Sequence, residues 1–317
     1  MYNSFVSIIS VLQEDYQLRV LDVYLQELHT CLEKNFTDFE IILVNNHLST
    51  DPGSILAALP ASIREHIFLL NLSSKAVRNH AIIAGLDRAN GDYNLIYEVE
   101  LKDPEKWIPS LFEKTKEGFD IVYLRSSKRK SRHRFRWFTY IFYYILRRYS
   151  NLKVDEGAYD TRIISRRALN SLLRLRENLR YMKAIYSIVG YPTAYIELDQ
   201  EFSEHYDPSF RNRFRTSLVA ITSFTTFLRS LLLGVFLVSF LFLLGVIINA
   251  LLVRFTGYDI LGNPEEAVKG WTFLVMLISL FFAANFLILY IMSVYLSNIY
   301  EEIKQRPLYI IESIKRF

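Results

Sequence analysis

The sequence predicts an α/β protein: a mainly parallel sheet covered by helices, with a C-terminal two-helix transmembrane hairpin. Three observations carry that prediction. Short apolar runs alternate with segments of helical period over residues 1–125. Two later apolar runs each exceed the roughly 20 residues needed to cross a bilayer core. The composition, 51% hydrophobic yet 22% charged, is too apolar for one soluble domain and too charged for an all-membrane chain.

The elements follow in order. "FVSIISVL" is a buried strand. Over residues 15–35, Leu18, Leu21, Leu25, Leu28 and Leu32 recur at helical spacing. "FEIILVNN" is the second strand, residues 54–66 a helix, and "IFLLNL" the third strand. Residues 75–89 form another helix, with Gly91 as its stop. "YNLIYEV" is the fourth strand, and residues 104–117 are a helix with Pro104 in its first turn. "FDIVYL" is the fifth strand. Buried strands joined by helices imply parallel pairing.

In such sheets ligands bind beyond the carboxyl ends of the strands. Those exits are residues 13–15, 45–47, 73–75 and 98–103, and all are polar. Polar exits are also ordinary loops, so the pattern alone does not decide a site. Within "EVELKDP", Glu98 and Glu100 stand two apart. On a strand that spacing points both carboxylates to one side. The pair is either a metal clamp or the solvated end of a strand.

Residues 126–150 change character. Lys128, Arg129, Lys130, Arg132, Arg134 and Arg136 crowd together, and Trp137, Phe138, Tyr140, Phe142, Tyr143 and Tyr144 follow. Basic residues beside interfacial aromatics suit a helix lying on an anionic membrane surface. Nucleic-acid stacking is the competing reading; the membrane segments and a net charge of only +4 disfavour it. Residues 210–227, again basic and aromatic, lead into the first apolar run.

The apolar runs cover residues 227–253, with Arg229 as the one charge, and residues 271–296, with none. Asn249 and Asn285 are placed to face each other between the two helices. Arg211, Arg213 and Arg215 precede the first run, and Lys304, Arg306, Lys315 and Arg316 follow the second. The positive-inside rule then puts both ends in the cytoplasm and the connecting loop outside. The single cysteine, Cys31, cannot make an intrachain disulfide. His47 and His80 lack the partners of a zinc site. Gly-rich phosphate loops and a secretory signal are not seen.

The whole arrangement resembles the family 2 glycosyltransferases that load sugars onto polyisoprenyl phosphates, the group of dolichyl-phosphate mannose synthases and bacterial undecaprenyl-phosphate glycosyltransferases. Gln13-Glu14-Asp15 stands for the family's Asn-Glu-Glu-like turn. "NNHLSTD", residues 45–51, stands for its Asp-Gly-Ser-x-Asp-like motif. "NLSSKAVRNHAIIAGLDRANGD" matches its segment before an Ala-Gly-rich helix, with Arg78 at a lysine position. "EVELKDP" matches Asp-x-Asp-Leu-Gln-Asp-Pro, and "YDTRIISRRA" matches Gly-Asp-Phe-Arg with Asp160 and Arg162 retained. The tail "YEEIKQRPLYIIES" matches the tail of bacterial members.

The resemblance implies a GT-A-like nucleotide-sugar domain and an inverting transfer onto a polyprenyl phosphate. It implies a nucleotide-sugar-binding core over residues 1–125 and an acceptor-side part with interface helices over 126–226. A transmembrane hairpin over 227–296 and a cytoplasmic tail over 297–317 complete the division. It assigns Asp160 and Arg162 as catalytic, Gln13, Glu14, Asn45, Asn46 and Arg78 to the nucleotide, and Glu98 and Glu100 to Mg2+ or Mn2+. Arg132, Arg134, Arg136, Arg211, Arg213 and Arg215 fall to the lipid phosphate or membrane surface. A UDP-linked sugar, anionic lipids, a homo-oligomer such as a tetramer, and a bacterial inner-membrane location belong to the same expectation.

The pattern also departs from the family. Aspartate is usual at Asn46, Glu98 and Glu100. Each glutamate adds a methylene, moving its carboxylate by roughly 1 Å, a shift that can cost on the order of a hundredfold in rate. Lys102, in place of a glutamine, is placed either to pair with Glu100 or to supply positive charge where metal is weakly held. "DQEFSEHYDPSFRNRFR" lacks the usual Ser-Lys or Thr-Lys pair, with Gln200, Ser203 and Ser209 near those positions. Such changes leave a second reading open: a catalytically inactive membrane scaffold or partner subunit.

Overall fold

The computed structural model describes residues 1–126, 136–149, 155, 157–175, 182–198, 217, 221, 225, 227–264, 271–303 and 307–317. In chain order the elements begin with β1 (Tyr2–Leu12), α1 (Leu21–Asn35), β2 (Phe36–Asn45), α2 (Gly53–Ala57) and α3 (Ala61–Arg64). They continue with β3 (Ile67–Leu72), α4 (Arg78–Arg88), β4 (Tyr93–Ile96), α5 (Pro104–Lys116), β5 (Ile121–Arg125) and α6 (Arg136–Tyr149). Then come β6 (Ala158–Ser165), α7 (Arg166–Arg174), α8 (Met182–Ile188) and β7 (Thr193–Glu197). Two long helices, α9 (Phe227–Thr256) and α10 (Trp271–Ile303), precede a last strand, β8 (Ile311–Arg316).

One sheet holds all eight strands in the order β7-β5-β6-β4-β1-β2-β3-β8. Its centre, β4-β1-β2-β3, is parallel as expected. Two flanking strands are not: β6 runs antiparallel to both β4 and β5, and β8 runs antiparallel to β3. At the far end β7 runs parallel to β5, so the sheet is mainly parallel, as expected, with β6 and β8 as its reversed strands. Strand β6 returns to fill the gap between β4 and β5, a non-local pairing that no run of apolar residues announces.

The central strands are buried on both faces, which is why they read as continuous apolar runs. Ile8, Ile41, Leu43 and Leu69 face the side covered by α1 and α5. Their neighbours Ile9, Ile42, Val44 and Leu70 face the side of α4 and α7. Leu25, Leu28 and Leu32 of α1 are fully buried, each worth about 1.5–3 kcal/mol on the usual area scale. Helix α4 lies so close to β1 that a Cβ on Gly85 would meet Ile9 Cγ2 at 2.4 Å.

Two local expectations are corrected. The helix expected over 54–66 is two short pieces. Pro60 sits between them with ψ 147°, because proline donates no N–H and its ring clashes with a preceding helical turn. The fourth strand stops at Ile96, three residues early. The expectation of a tail over 297–317 did not foresee its strand: β8 pairs along Phe68–Leu72 and covers what would be an exposed sheet edge.

Helices α9 and α10 span 30 and 33 residues. Much of their apolar surface is open, with Val238 69%, Leu241 64% and Phe286 67% exposed. Among the described residues, Leu280–Tyr300 is long and apolar enough to cross a membrane by length and composition, and 6% of its most apolar window is buried. Asn249 and Asn285 do not bond each other. Asn249 Oδ1 accepts from Ile260 N at 2.7 Å, and Asn285 Nδ2 donates to Phe281 O at 2.9 Å.

Candidate active site

The carboxyl ends of the parallel strands gather a polar cluster. After β1 the chain enters a 3-10 turn, Asp15–Arg19. Gln17 organises it. Its Oε1 accepts from Gln13 N at 2.6 Å and Glu14 N at 3.1 Å, and its Nε2 donates to Glu100 Oε1 at 2.6 Å. The Tyr16 hydroxyl donates to the same Glu100 oxygen at 2.8 Å. Burial first, and then the Glu100 bond, push the Tyr16 hydroxyl well above its ordinary range, so it stays a donor. Lys75 Nζ stands 3.4 Å from Glu14 Oε1.

Glu98 faces elsewhere. The β4–β6 ladder ends at the pair Ile96 and Arg162, and Glu98 and Asp160 lie just beyond that pair, past the end of β4 and on β6. Two carboxylates brought close together repel unless a cation stands between them. Arg78, the first residue of α4, supplies it. Its Nη2 is 3.0 Å from Glu98 Oε1 and its Nε donates to Asp160 Oδ2 at 3.2 Å. The strand-alternation expectation for Glu98 and Glu100 therefore fails. Glu98 O accepts from Leu101 N at 3.0 Å in a turn past the strand end, which sends the two side chains to different partners. Glu100 is held by Tyr16 and Gln17 rather than by Lys102.

The neighbouring expected residues have framing positions. Asn46 is fully buried. Its Oδ1 accepts from Ala76 N at 2.8 Å and its Nδ2 donates to Ala76 O at 2.9 Å, tying the β2 exit to the loop before Arg78. An aspartate there could not make the second bond. Asn45 Nδ2 donates to Asn71 Oδ1 at 2.9 Å, and its Oδ1 accepts from Leu48 N at 3.0 Å. Gln13 is buried. Arg162 is 3% exposed. Its guanidinium lies 3.8 Å from the Tyr186 ring centre, and its Nη2 donates to Tyr159 O at 2.6 Å, so it braces the strand of Asp160.

The structure thus brings together Glu14, Arg78, Glu98, Glu100 and Asp160, and places Gln13, Asn45, Asn46 and Arg162 behind them. Tyr16 and Gln17 were not anticipated. Their signal was faint: polar side chains directly after the β1 exit. Arg136 opens α6, whereas Arg132, Arg134, Arg211, Arg213 and Arg215 lie outside the described residues.

A divalent cation finds no cage of protein donors here. Among the described residues no group of three or more His, Cys, Asp or Glu is disposed to hold one. Glu98 is turned to Arg78, while Glu100 receives its two hydrogen bonds on Oε1. That donor set fits a cation arriving with phosphates, since Mg2+ commonly takes one or two carboxylates plus substrate oxygens and water.

Comparison with known proteins decides the family. Residues 21–173 match Glycosyl transferase family 2. The SfII prophage-derived bactoprenol glucosyl transferase of Shigella flexneri is 30% identical over 286 residues, covering 88% of this chain and 89% of its own. The chain belongs to glycosyl transferase family 2. The bactoprenol glucosyl transferase of Shigella phage SfX is similar at 31% identity, covering 88% of this chain and 90% of its own. An uncharacterized glycosyltransferase of Synechocystis sp. is 29% identical, covering 97% of this chain and 94% of its own. As a family 2 glycosyltransferase the chain is a sugar-transferring enzyme, and the matched stretch holds Arg78, Glu98, Glu100 and Asp160.

Proposed function

We propose that this family 2 glycosyltransferase moves a sugar from a nucleotide sugar, UDP-linked, to a polyprenyl phosphate at the cytoplasmic face of a bacterial inner membrane. The observation that carries the reading is the Arg78 guanidinium held between Glu98 and Asp160 at the carboxyl edge of the sheet. Relatives named bactoprenol glucosyl transferase support the acceptor class.

The chemistry asks for positioning more than for a strong base. A lipid phosphate is already anionic at neutral pH, so its oxygen attacks the anomeric carbon without prior proton removal. Attack from the side opposite the departing diphosphate inverts the anomeric centre. Asp160, 18% exposed, orients the sugar at that face, and Arg78 holds the Asp160 and Glu98 carboxylates in place. Gln17 and Tyr16 hold Glu100 at the diphosphate side. Bound Mg2+ or Mn2+ would supply charge neutralisation of the leaving diphosphate, with Glu100 as the residue to hold it.

The membrane reading rests on α6, α9 and α10. Helix α6 buries Phe142, Tyr143 and Leu146 and leaves Trp137 64%, Tyr140 72% and Tyr144 55% exposed. Its last residue, Tyr149, meets Phe227 at the start of α9 with ring centres 5.1 Å apart. An aromatic face joined to an apolar helix suits the headgroup level of a bilayer. There Arg132, Arg134 and Arg136, with Arg211, Arg213 and Arg215 ahead of α9, would bind anionic lipids and the lipid phosphate. Helices α9 and α10 would form the hairpin, with both termini cytoplasmic, in a homo-oligomer as large as a tetramer.

Calorimetric titration tests the nucleotide half of this reading. UDP with Mn2+ is expected to bind the detergent-solubilised chain with micromolar affinity and to bind weakly after Glu100→Gln. Binding weaker than millimolar under both Mg2+ and Mn2+ contradicts it and favours a non-catalytic role.

A further inference from the structure

The C-terminal segment, residues 309–316, touches the sheet domain at four further places, two of them in loops that follow β2 and β3. Tyr309 hydroxyl bonds Asp87 on α4. Ile310 O accepts from Ser73 N at 3.0 Å, holding the start of the loop that carries Lys75, Ala76 and Arg78. Ser313 Oγ accepts from Asn71 Nδ2 at 3.0 Å. Lys315 Nζ lies 3.4 Å from Asp51 Oδ2 in the loop after β2.

The Ser313 contact continues inward. Asn45, Asn71 and Ser313 are register partners on three adjacent strands. Asn71 uses its amide nitrogen on Ser313 and its amide oxygen on Asn45. Asn45 in turn fixes Leu48 N, next to His47, whose φ of 58° is left-handed. That strained turn opens the loop in which Ser49 and Thr50 bond Asp15. A line of side-chain bonds thus runs from the strand following α10 to the loop between β2 and α2.

We propose that Ser313 is a positioning residue for the nucleotide sugar. Through Asn71 and Asn45 it sets the loop at Leu48, so donor binding depends on the strand that continues from the apolar helix α10. The inference rests on the glycosyltransferase reading for its ligand but not for its mechanical content. The edge-strand role alone would need only backbone pairing, which Ser313 shares with any residue at its position. The amide line requires the hydroxyl.

The test uses the full chain in detergent, with Ser313→Ala and Ser313→Thr. In Ser313→Ala, the Leu48 amide is expected to exchange hydrogen several-fold faster, with the thermal midpoint unchanged. The KM for the nucleotide sugar rises about fivefold while kcat stays within about twofold, the pattern of lost binding rather than lost transition-state contact. Ser313→Thr, which keeps the hydroxyl, restores both. Unchanged Leu48 exchange in Ser313→Ala overturns the coupling, and faster exchange with unchanged KM overturns the role in donor binding. If the unaltered chain transfers no sugar, the glycosyltransferase reading fails instead, and amide exchange still decides the coupling.

Discussion

Arg78 and Glu98 form an ion pair of 3.0 Å in which the carboxylate is only 5% exposed. A charge that deep needs its partner, and removing one member of such a pair leaves the other uncompensated. The same guanidinium reaches Asp160, so one side chain pairs with two acids. Arg78→Ala is expected to destabilise the sheet domain by about 3 kcal/mol and to lower transfer on the order of a hundredfold. Arg78→Lys should recover stability better than rate, because an ammonium is a point charge without the planar fork. Unfolding in detergent and initial rates for both variants check this; full activity in Arg78→Ala contradicts it.

Asn46 gives a prediction that runs against the family pattern. The resemblance places aspartate at that position. Here the side-chain nitrogen donates to Ala76 O, and an aspartate would set two oxygens against each other in a fully buried place. Asn46→Asp is expected to cost about 1–3 kcal/mol and to weaken nucleotide binding through the loop that carries Arg78. A thermal midpoint equal to the unaltered chain's would show that the loop rearranges freely.

Asp120 provides a pH-dependent prediction far from the site. Arg167 donates to both its oxygens, at 2.5 and 2.6 Å, and these bonds, with the Ser165 hydroxyl, hold its carboxyl below the ordinary 3.8. A lowered folded value favours the charged form, so the stabilisation is complete above the ordinary value and is lost as pH falls through the lowered one. Arg167 is 69% exposed, so solvent screening keeps the gain small. Asp120→Asn should therefore be less stable than the unaltered chain between pH 5 and 8, converging with it below about pH 4. A gap that persists at low pH would point to packing rather than charge.

Glu100→Gln separates cation handling from hydrogen bonding. Glutamine still accepts from Tyr16 and Gln17 at the oxygen they now use, but it brings no charge to a cation. The Mn2+ concentration for half-maximal transfer is expected to rise about tenfold or more, a difference of about 1.4 kcal/mol. An unchanged Mn2+ dependence removes Glu100 from that role.

Much of the fold was legible because the central strands are buried on both faces and betray themselves as apolar runs. The elements that escaped notice depend on distant partners. Strand β6 is defined by its place between β4 and β5, and β8, "IESIKR", is a short charged edge strand whose identity comes from β3. The candidate site was half legible. Arg78, Glu98, Glu100 and Asp160 were named from motif order, but not that the acids part company after Ile96. Alternation is a rule for paired strand, and pairing had ended. Nor could the sequence announce that Asn46 is spent on Ala76, thirty residues away, since a backbone partner leaves no mark in composition.

The most direct test is transfer itself. Purified chain in detergent is given Mn2+, polyprenyl phosphate and a panel of radiolabelled UDP-sugars, and the organic phase is counted. One sugar should move to the lipid, with the anomeric configuration inverted, and Asp160→Asn should reduce that transfer by two orders of magnitude or more. Lipid-linked product from no donor, or product formed equally well by Asp160→Asn, would contradict the account.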